Sequence, residues 1–231
     1  MGLYAYSKIE VPAAIAMSPQ NPPTSSSLRD RQGLLWIIAT AFTSILVTAT
    51  CSLSHPHVFI DYSVTVMFNE DGLADLKIRW VFDEMFSEQT LAKYPSSRSG
   101  KLSSGDISAI RRDLFDSLKE YQYFTMMKLD GKYYPVTRTE GFWAEIRNGK
   151  LSFTYVVPCN LKASNAFKLV KILVCDEEYY NDCEFAKKSP VLFVNDGNYE
   201  HSFEIKEDQR LKYYFGQVVP KVLTFKFRRK Q

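Results

Sequence analysis

From His57 the chain alternates strictly. Val58, Ile60, Tyr62, Val64, Val66 and Phe68 fall on one side, and His57, Phe59, Asp61, Ser63, Thr65 and Met67 fall on the other. A period of two predicts a half-buried strand. The turn-forming "NEDG" at 69–72 follows. A second alternating run then sets Ala74, Leu76, Ile78, Trp80 and Phe82 against Asp75, Lys77, Arg79, Val81 and Asp83. The two runs predict a hairpin whose register is restricted, because a slip of one residue turns the second strand inside out. The shortest pairing that keeps both apolar faces together sets Phe68 opposite Ala74, Phe59 opposite Asp83 and Asp61 opposite Val81. His57 and Asp61 then lie diagonally on either side of Asp83 on the polar face, each at about 7–8 Å from it.

Beyond Asp83 the period changes. "EMFSEQTLAKYP" predicts a short helix near 84–94, capped by Asp83 and stopped at Pro95. A Ser/Gly-rich link leads to a second helix, near 105–121, with Ile107, Ile110, Leu114, Leu118 and Tyr121 on one stripe and Ser103 with Asp106 as a capping box. Hairpins are predicted around Asp130–Gly131 and Asn148–Gly149. The segments "AFKLVKILVC", "PVLFVND", "YEHSFEI" and "KVLTFKF" supply further strands. The expected fold class is α+β, mainly antiparallel β: a two-layer sheet or sandwich-like domain with a helical insert.

Residues upstream of this pattern are of another kind. The Pro/Ser-rich "SPQNPPTSSSL" marks 1–32 as a disordered leader, and 33–54 reads as a signal peptide or signal anchor with a basic flank, an apolar centre and a small-residue exit. Cleavage after Ser54 makes His55 the first mature residue. Retention of Leu34–Leu53 as an anchor and lipidation of Cys51 are the other readings. Residues 55–231 are then a single mainly-β periplasmic domain. The chain carries a formal charge of +3, spread along its length, so it has no electrostatic footprint for nucleic acid. Cys159, Cys175 and Cys183 remain in the domain, an odd number for an exported protein. One disulfide and one free thiol is the simplest arrangement, with Cys175–Cys183 the preferred pair.

Two of the three histidines, His55 and His57, stand at the start of the domain with only Pro56 between them. Zinc, nickel, cobalt and copper accept imidazole, and carboxylates complete such sites. The candidate ligands are His55, His57, Asp61, Asp83 and Glu84. A free amine on His55 would add a bidentate chelate with its Nδ1. Plainer roles exist for each: Asp83 as a helix cap, Asp61 as a partner for Arg79, and His201 as a structural histidine. No Gly-x-Ser-x-Gly, phosphate loop or His-Glu-x-x-His is present, so no enzymatic activity is expected.

The segment from His55 to Ser87, with its His-Pro-His, Asp61 and Trp80, Phe82, Asp83, Glu84 and Phe86, resembles the opening of a family of exported bacterial proteins that are periplasmic-component-like and otherwise of unknown function. The similarity extends more loosely through "IRRDLFDSLKEYQYF" and "CDEEYY". It implies a periplasmic accessory protein that binds a divalent transition metal (zinc, nickel or cobalt) and partners an inner-membrane metal permease. Membrane contact is then limited to the N-terminal segment, if uncleaved. The alternatives are a metal-free β-rich domain that binds a partner through exposed aromatics of "GKYYPV" and "DEEYYND", and a copper enzyme built on an N-terminal histidine chelate.

Overall fold

The first hairpin forms as expected, with β1 at Val58–Phe68 and β2 at Gly72–Phe82. The structure, a computed structural model, describes residues 56–230. The expected leader and signal segment, and His55, lie outside the described residues. Asn69 closes the turn by accepting the amides of Asp71 and Gly72 on its Oδ1, at 3.0 and 3.1 Å. From Ile60 to Met67 the register is the expected one, with Asp61 opposite Val81. At the turn end it differs, because Phe68 faces Leu73 and Ala74 is the extra residue of a β-bulge. The bulge lets Leu73 enter the core, where it is 1% exposed. Gly72 is required beside it, since a Cβ there would stand 2.3 Å from the Leu161 carbonyl oxygen.

Helix α1 (Glu84–Leu91) starts at Asp83, whose Oδ1 accepts the Phe86 amide at 2.9 Å. Buried Ser87 docks this helix by accepting the Leu151 amide at 2.9 Å. A 3-10 turn at Pro95–Ser99 leads to α2 (Ser104–Ile110), which carries the expected capping box between Ser103 and Asp106. The second helix does not run regularly to residue 121. After Ile110 it widens into a π-helical turn at Arg111–Phe115, then tightens to a 3-10 stretch at Asp116–Phe124. The wider turn advances the inward face by one residue. Phe115 thus becomes fully buried against Phe142 and Tyr155, while Tyr121, expected on the apolar stripe, is 59% exposed.

Strands β3 (Thr125–Leu129), β4 (Lys132–Tyr134), β5 (Glu140–Arg147) and β6 (Lys150–Lys162) follow. Asp130–Gly131 and Asn148–Gly149 turn the two hairpins in the left-handed backbone region that Asn-Gly and Asp-Gly supply. Then come β7 (Lys168–Val174), β8 (Asn181–Phe185), β9 (Val191–Val194), β10 (Tyr199–Glu207), a 3-10 turn at Gln209–Leu211, and β11 (Lys221–Arg229). One sheet has the order β5-β6-β2-β1-β8, with β9 also on the outer edge of β1; the other has the order β10-β11-β7-β3-β4. Only the β1–β8 and β1–β9 pairings are parallel among the described strands.

The alternating apolar residues of both sheets meet in one core. Phe68 packs edge-on to Phe227 across the sheets, and the Thr125 hydroxyl lies 3.1 Å from that of Tyr155. The fold is therefore mainly antiparallel β in two sheets, with a helical segment inserted between β2 and β3. Ser54–Gln231 forms a compact unit. The expected Cys175–Cys183 bridge is absent: Cys159, Cys175 and Cys183 are free thiols. Cys175 instead packs its sulfur 3.6 Å from that of Met126. No helix among the described residues is long and apolar enough to cross a membrane.

Candidate functional site

β1 enters the first sheet at its parallel edge. The amides of His57 and Val58 both donate to the Tyr180 carbonyl, at 2.9 and 3.3 Å. Pro56 immediately before them holds the approach extended. The His57 side chain is exposed and lies against the Tyr180 ring, centroids 4.9 Å apart. The loop that carries Tyr180 is braced by Asp176, whose Oδ2 accepts from the amide and the side chain of Asn181 at 3.0 and 2.7 Å.

Two residues on, Phe59 is outward-facing and half exposed. Its backbone is joined to Asp83 on both sides: the Phe59 amide donates to Asp83 Oδ2 at 2.9 Å, and the Asp83 amide donates to the Phe59 carbonyl at 2.9 Å. With Oδ1 capping α1, the Asp83 carboxylate binds strand and helix together. Asp83 thus stands opposite Phe59, as the hairpin register requires, and both of its oxygens serve backbone amides.

Asp61 is exposed, with Val81 beside it on β2 and Glu184 beside it on β8. Glu184 is paired with Lys221 at 2.6 Å. Arg79 pairs with Glu145 at 3.2 Å. Four residues of extended chain place the Cα atoms of His57 and Asp61 about 13 Å apart, a span that one small ion does not bridge unaided. The Glu84 side chain is 87% exposed and 3.7 Å from Lys150. The structure therefore puts His57, Asp61 and Asp83 on one side of the hairpin without converging them. Among the described residues, which exclude His55, no group of three His, Cys, Asp or Glu side chains is placed to hold a metal ion.

His201 has the structural place expected of it. Its Nε2 lies 2.6 Å from Asp196, and its ring stacks on Phe193 at 4.0 Å. That hydrogen bond holds the Asp196 carboxyl below its usual range. Sequence reasoning missed Tyr180 as the neighbour of His57 and Glu184 as the neighbour of Asp61. Both lie in or beside β8, a short acidic strand without a two-residue apolar period, whose parallel pairing is a long-range contact.

Residues 40–215 match the model of the family described as "Protein of unknown function (DUF1007)", and the chain belongs to that family. It is similar to an uncharacterized 15.5 kDa protein in the trpE 3′ region of Spirochaeta aurantia. The two are 34% identical over 123 residues, which is 53% of this chain and 86% of the relative.

Proposed function

We propose that this protein is an exported periplasmic binding module, without enzymatic activity, that captures zinc, nickel or cobalt and works with an inner-membrane metal permease. The observation that supports it best is the position of His57, exposed at the strand start, two residues after a second histidine and anchored through its main chain to Tyr180. In this reading the ligands are the imidazoles of His55 and His57, joined by the His55 amine if export leaves it free. Asp83 positions β1 against α1, and Asp61 and Glu84 contribute negative charge nearby without sharing the ion. Few nitrogen ligands on an exposed edge suit a carrier that must release its cargo. The permease partnership rests on the resemblance of the His-Pro-His segment.

Calorimetric titration of the domain beginning at His55 with Zn²⁺, Ni²⁺ and Co²⁺ tests this. The double variant His55→Ala/His57→Ala is expected to lose at least about tenfold in affinity, the equivalent of one good ligand, whereas Asp61→Asn stays close to the parent. Equal affinity in the double variant would falsify the assignment.

A metal-free partner-binding surface is the second reading, favoured by one observation. Phe215, at the tip of the loop between Tyr213 and Val218, is 90% exposed, and Tyr180 is 49% exposed. Copurification of a permease that persists after the double histidine substitution and metal chelation would select it.

A further inference from the structure

Leu173 and Val222 are each only 4% exposed, yet neither belongs to the core between the sheets. They lie on the other face of the second sheet. There Asp208, Arg210 and Leu211 wall a half-open cleft of about 390 Å³ beside β7 and β11. Met126 stands opposite Leu173 in the β3–β7 register, so the floor is an apolar row. Leu211 and Tyr133 add further apolar wall. The volume lies within the range of small-ligand pockets.

The next row of the same sheet is cationic. Lys128 and Lys171 face one another directly across β3 and β7, and both line the cavity. Like charges in directly opposed positions cost stability. Neither lysine has an ion pair among the described residues. The carboxylate at the rim, Asp208, is engaged by Arg210, which donates to it from Nε and a terminal nitrogen at 2.9 and 2.8 Å. Asp208 also feels the charge of Lys171, so two adjacent positive charges and one Asp208–Arg210 pair border a half-open apolar floor.

From this juxtaposition we infer a binding site for a small amphiphilic carboxylate. Its anionic head lies between Lys128 and Lys171, and its aliphatic body lies on Met126, Leu173, Val222 and Leu211. A bound carboxylate converts the repulsion between the lysines into two charge-assisted hydrogen bonds. The apolar floor excludes inorganic anions as the preferred occupant, and the lysine pair excludes amines. This site is on the sheet that does not carry His57, so it stands independently of metal capture.

The unit Ser54–Gln231 contains the whole described core and is suited to the test. Octanoate, octylamine and inorganic phosphate are titrated against it by calorimetry. Octanoate is expected to bind with a dissociation constant below about 1 mM, and octylamine and phosphate are expected to bind at least about tenfold more weakly. The variant Lys128→Ala/Lys171→Ala should lose octanoate affinity by about tenfold or more. Its thermal midpoint should stay equal to or above that of the parent, because the repulsion is gone. Absence of octanoate binding, equal binding of octylamine, or undiminished affinity in the double variant overturns the assignment. So does tight binding of phosphate alone.

Discussion

Burial and the neighbouring Glu184 push the Asp182 carboxyl above its ordinary range, while Lys221 pulls it back. A carboxyl raised by folding opposes the folded state whenever it is ionised. That cost is full above the folded-state value and vanishes below the unfolded one. Asp182→Asn should therefore raise the melting temperature by a few degrees at neutral pH, and the gain should disappear below about pH 3. A pH series of calorimetric melts checks this, and a lower midpoint for the variant at neutral pH would refute it. Asp196 has the opposite sign. Its carboxyl is held low, chiefly by the hydrogen bond from His201, so its contribution is present above the ordinary carboxylate value and is lost as pH falls through the lowered one.

Asp83 shows how one side chain decides the relation of two elements. Its two oxygens accept one amide from α1 and one from β1, so the helix is tied to the strand it follows and to that strand's partner. Asp83→Ala removes a helix cap and leaves the Phe59 amide without its acceptor, a loss of about 2 kcal/mol. The midpoint of thermal unfolding is then expected to fall by about 4–8 °C for a domain of this size. Asp83→Asn, which retains an oxygen acceptor, should fall by less. Equal midpoints for Asp83→Ala and the parent would remove the carboxylate from this role. In the second helix the apolar stripe buries Ile107 and Ile110, keeps Leu114 and Leu118 partly buried against the core, and fails only at Tyr121. The π-helical turn brought Phe115 into the core beside a partly buried Leu114, and the left-handed backbone at Gln122, Tyr123 and Phe124 turned the chain into β3.

At the scale of the molecule, the two sheets bury Cys159 and Cys175 and half-bury Cys183. Burial pushes the Cys159 and Cys175 thiols up to about 12, and acidic neighbours add to the shift: Asp75 beside Cys159, and Glu177 and Asp176 beside Cys175. Burial likewise raises the Cys183 thiol. Such thiols are almost wholly protonated at neutral pH and react slowly. An aromatic disulfide reagent at about pH 8 should label the native domain negligibly and should label all three thiols once denaturant opens the sheets. Recovery of a Cys175–Cys183 disulfide from material purified without reductant would contradict the packing of Cys175 against Met126.

The first hairpin was legible because its two strands alternate without interruption and a slipped register would expose every apolar residue. Asp61 opposite Val81, Asp83 as a cap, the Ser103–Asp106 capping box and both Asx-Gly turns are local in the same way: the spacing of a few neighbouring residues leaves one arrangement. Tertiary structure alone decided the rest. The bulge at Ala74 serves a core that needs Leu73, the π-helical turn serves a core that needs Phe115, and β8 becomes a strand only because β1 offers it a parallel edge. The candidate site divides along the same line. The sequence alone determined that His57, Asp61 and Asp83 share one side of a hairpin, because strand period dictates it. Only the folded domain decided that Asp83 is engaged by two backbone amides, that Asp61 neighbours Glu184, and that Lys128 and Lys171 face each other beside a half-open apolar floor. Such neighbours come from distant parts of the chain, and no local period encodes them.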